Sequence, residues 1–277
     1  MLTVLWMFLR AAWKFRGYRP QPITYGSLSA WIKQFGEKDR KTVLKLLDKI
    51  IFISEAETKK RLLDLNKTLI DRLIAADISL DKIIYVQIDD AGSSSPVMLN
   101  ILKEGARLER KRCRFVDSRD VRSLVRLSDE LGEGAIIYVD DFIGTGTQLC
   151  TARDFAVEHM VGNFAEFVLS PCICEEAIIE LGKRGIEPVA AEVHSKAVRP
   201  LHQHSSILND VTKKQLIDIC HVIDRKGGLG YKKMATMVVL YRNAPNTVPV
   251  IFRGNVGQQP YIGIFPRYQD LPPFEEG

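Results

Sequence analysis

Residues 135–148 read Ala135-Ile136-Ile137-Tyr138-Val139-Asp140-Asp141-Phe142-Ile143-Gly144-Thr145-Gly146-Thr147-Gln148. The first five are apolar or aromatic and rich in β-branched residues, the composition of a strand buried on both faces. That strand delivers two carboxylates to its carboxyl end, a Gly-Thr-Gly-Thr loop follows, and a helical pattern runs from Leu149 to about Met160. Glycines let backbone N–H groups crowd around an anion, and a helix start adds unpaired donors and the positive end of a dipole. Gly144, Thr145, Gly146, Thr147 and Gln148 are therefore candidates to hold a phosphate monoester. Asp140 and Asp141 would repel that phosphate if they faced it, so they suit hydroxyls or a divalent metal. A ribose 5-phosphate satisfies both halves. The plain alternative is a strand-to-helix turn with capping Asp residues, which leaves the adjacent acid pair unexplained.

Outward from this stretch the same alternation recurs. Lys82–Ile88 reads as a buried strand and ends in Asp89-Asp90-Ala91-Gly92-Ser93-Ser94-Ser95-Pro96, before a helix from Val97 through Leu102. Residues 119–131 predict a helix, Phe164–Cys172 a strand, Glu175–Lys183 a helix, Glu187–Val193 a strand and Met234–Tyr241 a late strand. Strands alternating with helices imply an α/β fold with a parallel sheet, whose ligands bind at the carboxyl ends of the strands. Residues 79–244 are the expected core. Residues 24–78 predict a helical subdomain, with helices through Trp31, over Arg40–Phe52, and onward from a capping-box spacing of Ser54 and Glu57. Residues 1–23 form an apolar segment and Pro-punctuated link, and residues 245–277 a tail. That tail is expected as a hood over the sheet's carboxyl edge or as a purely structural cover.

Composition excludes little but agrees with a globular α/β protein: 46% hydrophobic and 26% charged residues over 277, with a net charge of +5. The sharpest basic cluster is Arg107, Arg110, Lys111, Arg112 and Arg114, which reads either as a solvated helix end or as a docking face for a nucleic-acid backbone. The five cysteines include no pair of CxxC units, so neither a zinc site nor a disulfide framework is expected. Reduced thiols fit a cytoplasmic protein. At the amino terminus an apolar run precedes Arg10, Lys14, Arg16 and Arg19, the wrong order for a signal peptide, and it is too short to span a bilayer. A buried helix or partner-docking segment is expected there, with peripheral membrane contact through Trp6, Phe8 and Trp13 as the lesser alternative.

The string from Ile136 to Thr147 resembles the signature of type I phosphoribosyltransferases: apolar strand, two acids, a short spacer and a Thr/Gly phosphate loop. The resemblance implies that Asp140 and Asp141 contact ribose hydroxyls, and through them a metal, while Gly144–Gln148 cradle the 5-phosphate. It implies Mg2+ as cofactor and phosphoribosyl pyrophosphate or a nucleotide as ligand. Asp90, Ala91, Gly92, Ser93 and Ser94 are similar to the family's pyrophosphate loop. One departure stands out: purine-salvage members carry an Asp where this chain has Gly144, so a general base would come from elsewhere, with His194, His202 and His204 as candidates.

A narrower resemblance covers most of residues 25–267. Leu46–Leu65, Tyr241–Ile251 and Tyr261–Arg267 resemble the phosphoribosyltransferase-like proteins of bacterial conflict systems, which include retron and antiphage effectors. It implies a defence effector with protein or nucleic-acid partners, and it is compatible with a homo-oligomer. Ordinary nucleotide salvage and a catalytically inactive nucleotide sensor are the competing functions.

Overall fold

A strand with apolar residues at every position needs cover on both faces, and that requirement organises the centre of this protein. The computed structural model describes residues 2–88, 94–254 and 261–271. In chain order these form α1 (Leu2–Lys14), α2 (Tyr25–Lys33), α3 (Glu37–Asp48), β1 (Ile51–Ile53), α4 (Glu55–Ala75), β2 (Ile83–Gln87), α5 (Ser94–Gly105), β3 (Arg114–Asp117), α6 (Val121–Leu131) and β4 (Glu133–Val139). There follow β5 (Phe142–Ile143), α7 (Thr147–Val157), β6 (Asn163–Ser170), β7 (Cys172–Cys174), α8 (Glu175–Gly182), β8 (Glu187–Ala190), β9 (Val193–His194), α9 (Asp210–Ile223), β10 (Val238–Leu240) and α10 (Val250–Arg253). Contacts divide the chain into two compact units, one of Met1–Glu55 with Ser195–Gly277, the other of Ala56–His194. No helix among the described residues is long and apolar enough to cross a membrane.

The unit from Ala56 to His194 holds a five-stranded parallel sheet in the order β3-β2-β4-β6-β8. Alternate residues of β4 serve opposite faces. Ala135, Ile137 and Val139 pack with Leu62, Leu69 and Leu73 of α4 and Met98 and Leu102 of α5. Ile136 and Tyr138 pack with Leu124 of α6, Leu149 of α7 and Leu181 of α8. The period of 2 on a strand thus puts two helices on one side and three on the other. The chain leaves β2 for β3 on one side and continues to β4 on the other, so the order reverses between β2 and β4. The crevice outside that switch point is where doubly wound sheets bind ligands. A three-stranded parallel extension, β5-β7-β9, begins directly after Asp141.

The other unit is mainly helical. Phe8, Phe15, Leu28, Trp31, Leu46 and Leu47 share a core with Leu216 and Cys220 of α9 and with Phe252 and Phe265. A two-stranded parallel ribbon, β1 with β10, runs through it. The buried Trp31 Nε1 donates to Ile251 O at 2.7 Å, and Tyr18 Oη donates to Pro266 O at 2.7 Å. The described tail residues are therefore built into this unit's core: Phe252 and Phe265 are fully buried. Helix α1 buries Phe8 and Ala11 while Leu5, Trp6, Leu9 and Trp13 stay exposed.

Several boundaries depart from the sequence pattern: the strand expected over Phe164–Cys172 divides into β6 and β7, that over Glu187–Val193 into β8 and β9, each pair split between two sheets, and the late strand shortens to Val238–Leu240. The apolar Ile51-Phe52-Ile53 continues the periodicity of α3, yet it is a strand, because its partner Val238–Leu240 lies far along the chain. Strand β3 has only Phe115 and Val116 as apolar residues between charges, a weak signal typical of a sheet edge. Helix α4 belongs to the sheet-bearing unit, whereas periodicity alone groups it with the helices before it.

All five cysteines are unbridged and buried. Burial pushes the Cys220 thiol from its ordinary 9.0 up to about 12. Its neutral form is favoured by folding, so that contribution to stability is complete below about pH 9 and is lost as pH rises toward about 12. Native protein is expected to resist iodoacetamide at Cys220 near pH 9, with Tm falling as the buffer is raised above it. Rapid alkylation of the native protein at Cys220 would contradict the burial.

Candidate functional site

Asp140 follows the last residue of β4, and its amide donates to Leu169 O at 3.1 Å, fixing the strand end against β6. Its Oδ1 accepts the Asp141 amide at 2.8 Å and the Ser94 hydroxyl at 2.5 Å. Ser94 is the first residue of α5, which follows β2 in the chain. The Ser94–Asp140 bond therefore links the ends of β2 and β4 across the switch point. Next to it, Ser95 is fully buried and its hydroxyl accepts the Ile88 amide at 3.1 Å, tying the end of β2 to the start of α5. Asp141 is largely buried.

Beyond the acids, β5 pairs Phe142 with Cys172 and Ile143 with Ile173 of β7, so the loop that follows leaves from a fixed edge. Gly144 and Thr145 lead to Gly146, which has φ +72° and caps α7. An added Cβ at Gly146 would lie 3.5 Å from Ala177 Cα of α8 and would force a side chain into left-handed backbone. Thr147 and Gln148 form the start of α7, whose first turn carries no acid. Thr145 Oγ1 and Thr147 Oγ1 are 3.0 Å apart. Hydroxyls, a left-handed glycine and a helix N-terminus thus converge just past the acid pair, the arrangement that favours a phosphate.

Supports behind the loop are ionic. On β4, Tyr138 Oη donates to Glu166 Oε2 at 2.9 Å, and Arg153 Nε of α7 donates to the same oxygen at 2.8 Å, with a second bond from Arg153 to Glu166. Burial and then the Glu166 carboxylate push the Tyr138 hydroxyl well above its ordinary value. At the carboxyl edge, Arg61 of α4 donates to Pro171 O at 3.3 Å and pairs with Glu192 at 2.9 Å, joining the connections after β6 and β8. On the far side of β2, Gln87 Nε2 donates to Asp117 Oδ2 at 3.3 Å, and Arg119 donates to both Asp117 oxygens at 3.0 and 2.8 Å. The Arg119 guanidinium beside Asp117 holds that carboxyl below its usual range.

The structure brings together Asp140, Ser94 and the Gly144–Gln148 loop at one sheet edge. Asp90, Ala91, Gly92 and Ser93 lie outside the described residues. Of the histidines, His194 is fully buried in β9, while His202 and His204 belong to the other unit, their rings 5.2 Å apart. Sequence spacing gives no hint of Arg61 or of the Gln87–Asp117–Arg119 cluster, since each joins segments remote in the chain or sits in an unpatterned turn. Among the described residues no group of three or more His, Cys, Asp or Glu side chains gathers to hold a metal. Mg2+ is commonly held by one or two carboxylates together with substrate phosphates, and Asp140 with Asp141 fits that mode.

A family model described as PRTase-CE matches residues 28–267. The chain belongs to the PRTase-CE family. It is a phosphoribosyltransferase-like protein, and its α/β fold with a parallel sheet is consistent with that membership. Among solved structures it is similar to an orotate phosphoribosyltransferase from Aeropyrum pernix, with 16% identity over 48% of this chain and 68% of that one and a TM-score of 0.32. It is also similar to a hypoxanthine-guanine phosphoribosyltransferase from Schistosoma mansoni in complex with IMP, with 16% identity over 60% of this chain and 84% of that one and a TM-score of 0.34. Neither likeness assigns a residue role here. No curated protein sequence matches the chain.

Proposed function

We propose that this PRTase-CE protein binds the 5-phosphoribosyl group of phosphoribosyl pyrophosphate, or of a nucleotide, and acts as a phosphoribosyltransferase-like effector of a bacterial antiphage, retron-like system. The observation that carries the ligand is the Asp140–Ser94 bond across the switch point, followed in the chain by β5 and the Gly146 loop into α7. In this role Asp140 and Asp141 hold the ribose hydroxyls and offset positive charge developing on the ring. The Gly144–Gln148 backbone and hydroxyls hold the 5-phosphate, and Ser94 orients Asp140. A nitrogen nucleophile forms a bond to C1 as the C1–oxygen bond breaks, and pyrophosphate leaves with the electron pair. Mg2+ on Asp140 and Asp141 would stabilise that departing charge. The defence role rests on the resemblance of residues 25–267 alone.

A second reading, a nucleotide sensor without turnover, is favoured by Gly144, which supplies no carboxylate at the position where purine-salvage members use one. Magnesium-dependent pyrophosphate release, measured with a panel of nucleobases, nucleotides and cell extract, separates the two. The transferase predicts release that disappears when Asp140→Asn and Asp141→Asn are combined. Tight ligand binding with no release under any acceptor would overturn the transferase and leave the sensor.

A further inference from the structure

Helix α1 has two apolar faces. Phe8 and Ala11 point into the core, while Leu5, Trp6, Leu9 and Trp13, at helical spacings of three and four, form an outward stripe 45%, 59%, 58% and 69% exposed. A stripe holding two exposed tryptophans marks a contact surface. The charges carried by this stretch of the sequence are basic. No acidic residue precedes Glu37, whereas Arg10, Lys14, Arg16, Arg19 and Lys33 do. The Arg16 guanidinium stacks 4.4 Å over the Trp13 ring and that of Arg10 5.4 Å over Trp6, so the charges rim the stripe itself. Two acids reach this rim from neighbouring elements: Asp48 lies 3.4 Å from Arg10, and Glu55 lies 2.6 Å from Arg19. Arg10 remains half exposed in its pair.

We propose that α1 docks the protein peripherally on an anionic phospholipid surface, inserting Trp6 and Trp13 at headgroup depth. Tryptophan favours that boundary, and basic side chains beside it are drawn to the acidic headgroups. A second copy of the chain is the poorer occupant. A two-fold contact through the stripe would lay its basic rim, with Arg10 and Arg16, against the same rim of the other copy, and α1 itself brings no carboxylate to offset it.

The test is co-sedimentation of the full chain with vesicles of phosphatidylcholine containing about one-third phosphatidylserine. Binding is expected to weaken with added salt and to be slight on pure phosphatidylcholine. Tryptophan emission should shift to the blue on binding, since Trp6 and Trp13 are exposed and Trp31 is already buried. Trp6→Gln with Trp13→Gln, two surface changes, should cut binding at least about tenfold. Arg16→Ala should cut it about fivefold, the worth of one basic side chain near an anionic surface. Unchanged circular dichroism and Tm would show both variants folded. Absence of vesicle binding, equal binding to neutral vesicles, or full binding by the folded double-Trp variant would each overturn the proposal. So would a concentration-dependent dimer, abolished by the double-Trp change, in protein that ignores vesicles.

Discussion

Asp140→Asn is expected to weaken binding of ribose 5-phosphate by about a hundredfold or more in titration calorimetry, with the fold intact. The substitution is nearly isosteric. It leaves the backbone bond to Leu169 in place and keeps an oxygen able to accept from Ser94 and from the Asp141 amide. It removes the negative charge. Hydrogen bonds to a charged group are each worth roughly 1.5–3 kcal/mol, about double the neutral value, and a ribose presents two adjacent hydroxyls. Affinity within threefold of wild type would remove Asp140 from the site.

Glu166→Ala is expected to cost about 3 kcal/mol or more in urea unfolding. The Glu166 and Arg153 side chains are only 11% and 17% exposed. Truncating Glu166 removes the acceptor of Tyr138 Oη and two bonds of Arg153, leaving a largely buried guanidinium whose remaining carboxylate, Asp154 at 3.2 Å, is shared with Arg184. The cost is the under-compensated buried charge rather than the net worth of the pair, so Glu166→Ala with Arg153→Met should recover much of the loss. Arg153 sits on α7, the helix opened by Gly146, so the single variant should also loosen ligand binding. A loss below about 0.5 kcal/mol would mean that the ion pair is solvent-screened and holds nothing in place.

The elements that carry the proposed chemistry were legible in the sequence because they are local. Strand β4 is apolar from Ala135 to Val139, the acids follow without a gap, and after Phe142–Ile143 glycines and threonines lead into α7. Those features come from neighbours within a few residues. What was illegible depends on partners far along the chain. Ile51–Ile53 becomes a strand only because Val238–Leu240 lies beside it. Helix α4 shows its period plainly, but nothing in its sequence says that Leu62, Leu69 and Leu73 cover Ile83 and Tyr85. The Ser94–Asp140 bond joins residues 46 apart. Both belong to recognisable loops, yet only the reversal of strand order between β2 and β4 puts them in contact. On α1, apolarity announced a helix but could not divide the residues between core and surface; in the structure Phe8 is buried and Trp6 and Trp13 are not.

In the proposed function, residues 140–148 hold a phosphoribosyl group. Backbone amide chemical shifts followed by NMR during titration with ribose 5-phosphate locate the ligand directly. Saturable shifts concentrated at Asp140–Asp141, Gly144–Gln148 and Ser94, with phosphoribosyl pyrophosphate perturbing the same amides and displacing ribose 5-phosphate, are the predicted result. Shifts confined to other parts of the chain, or none at millimolar ligand, would contradict it.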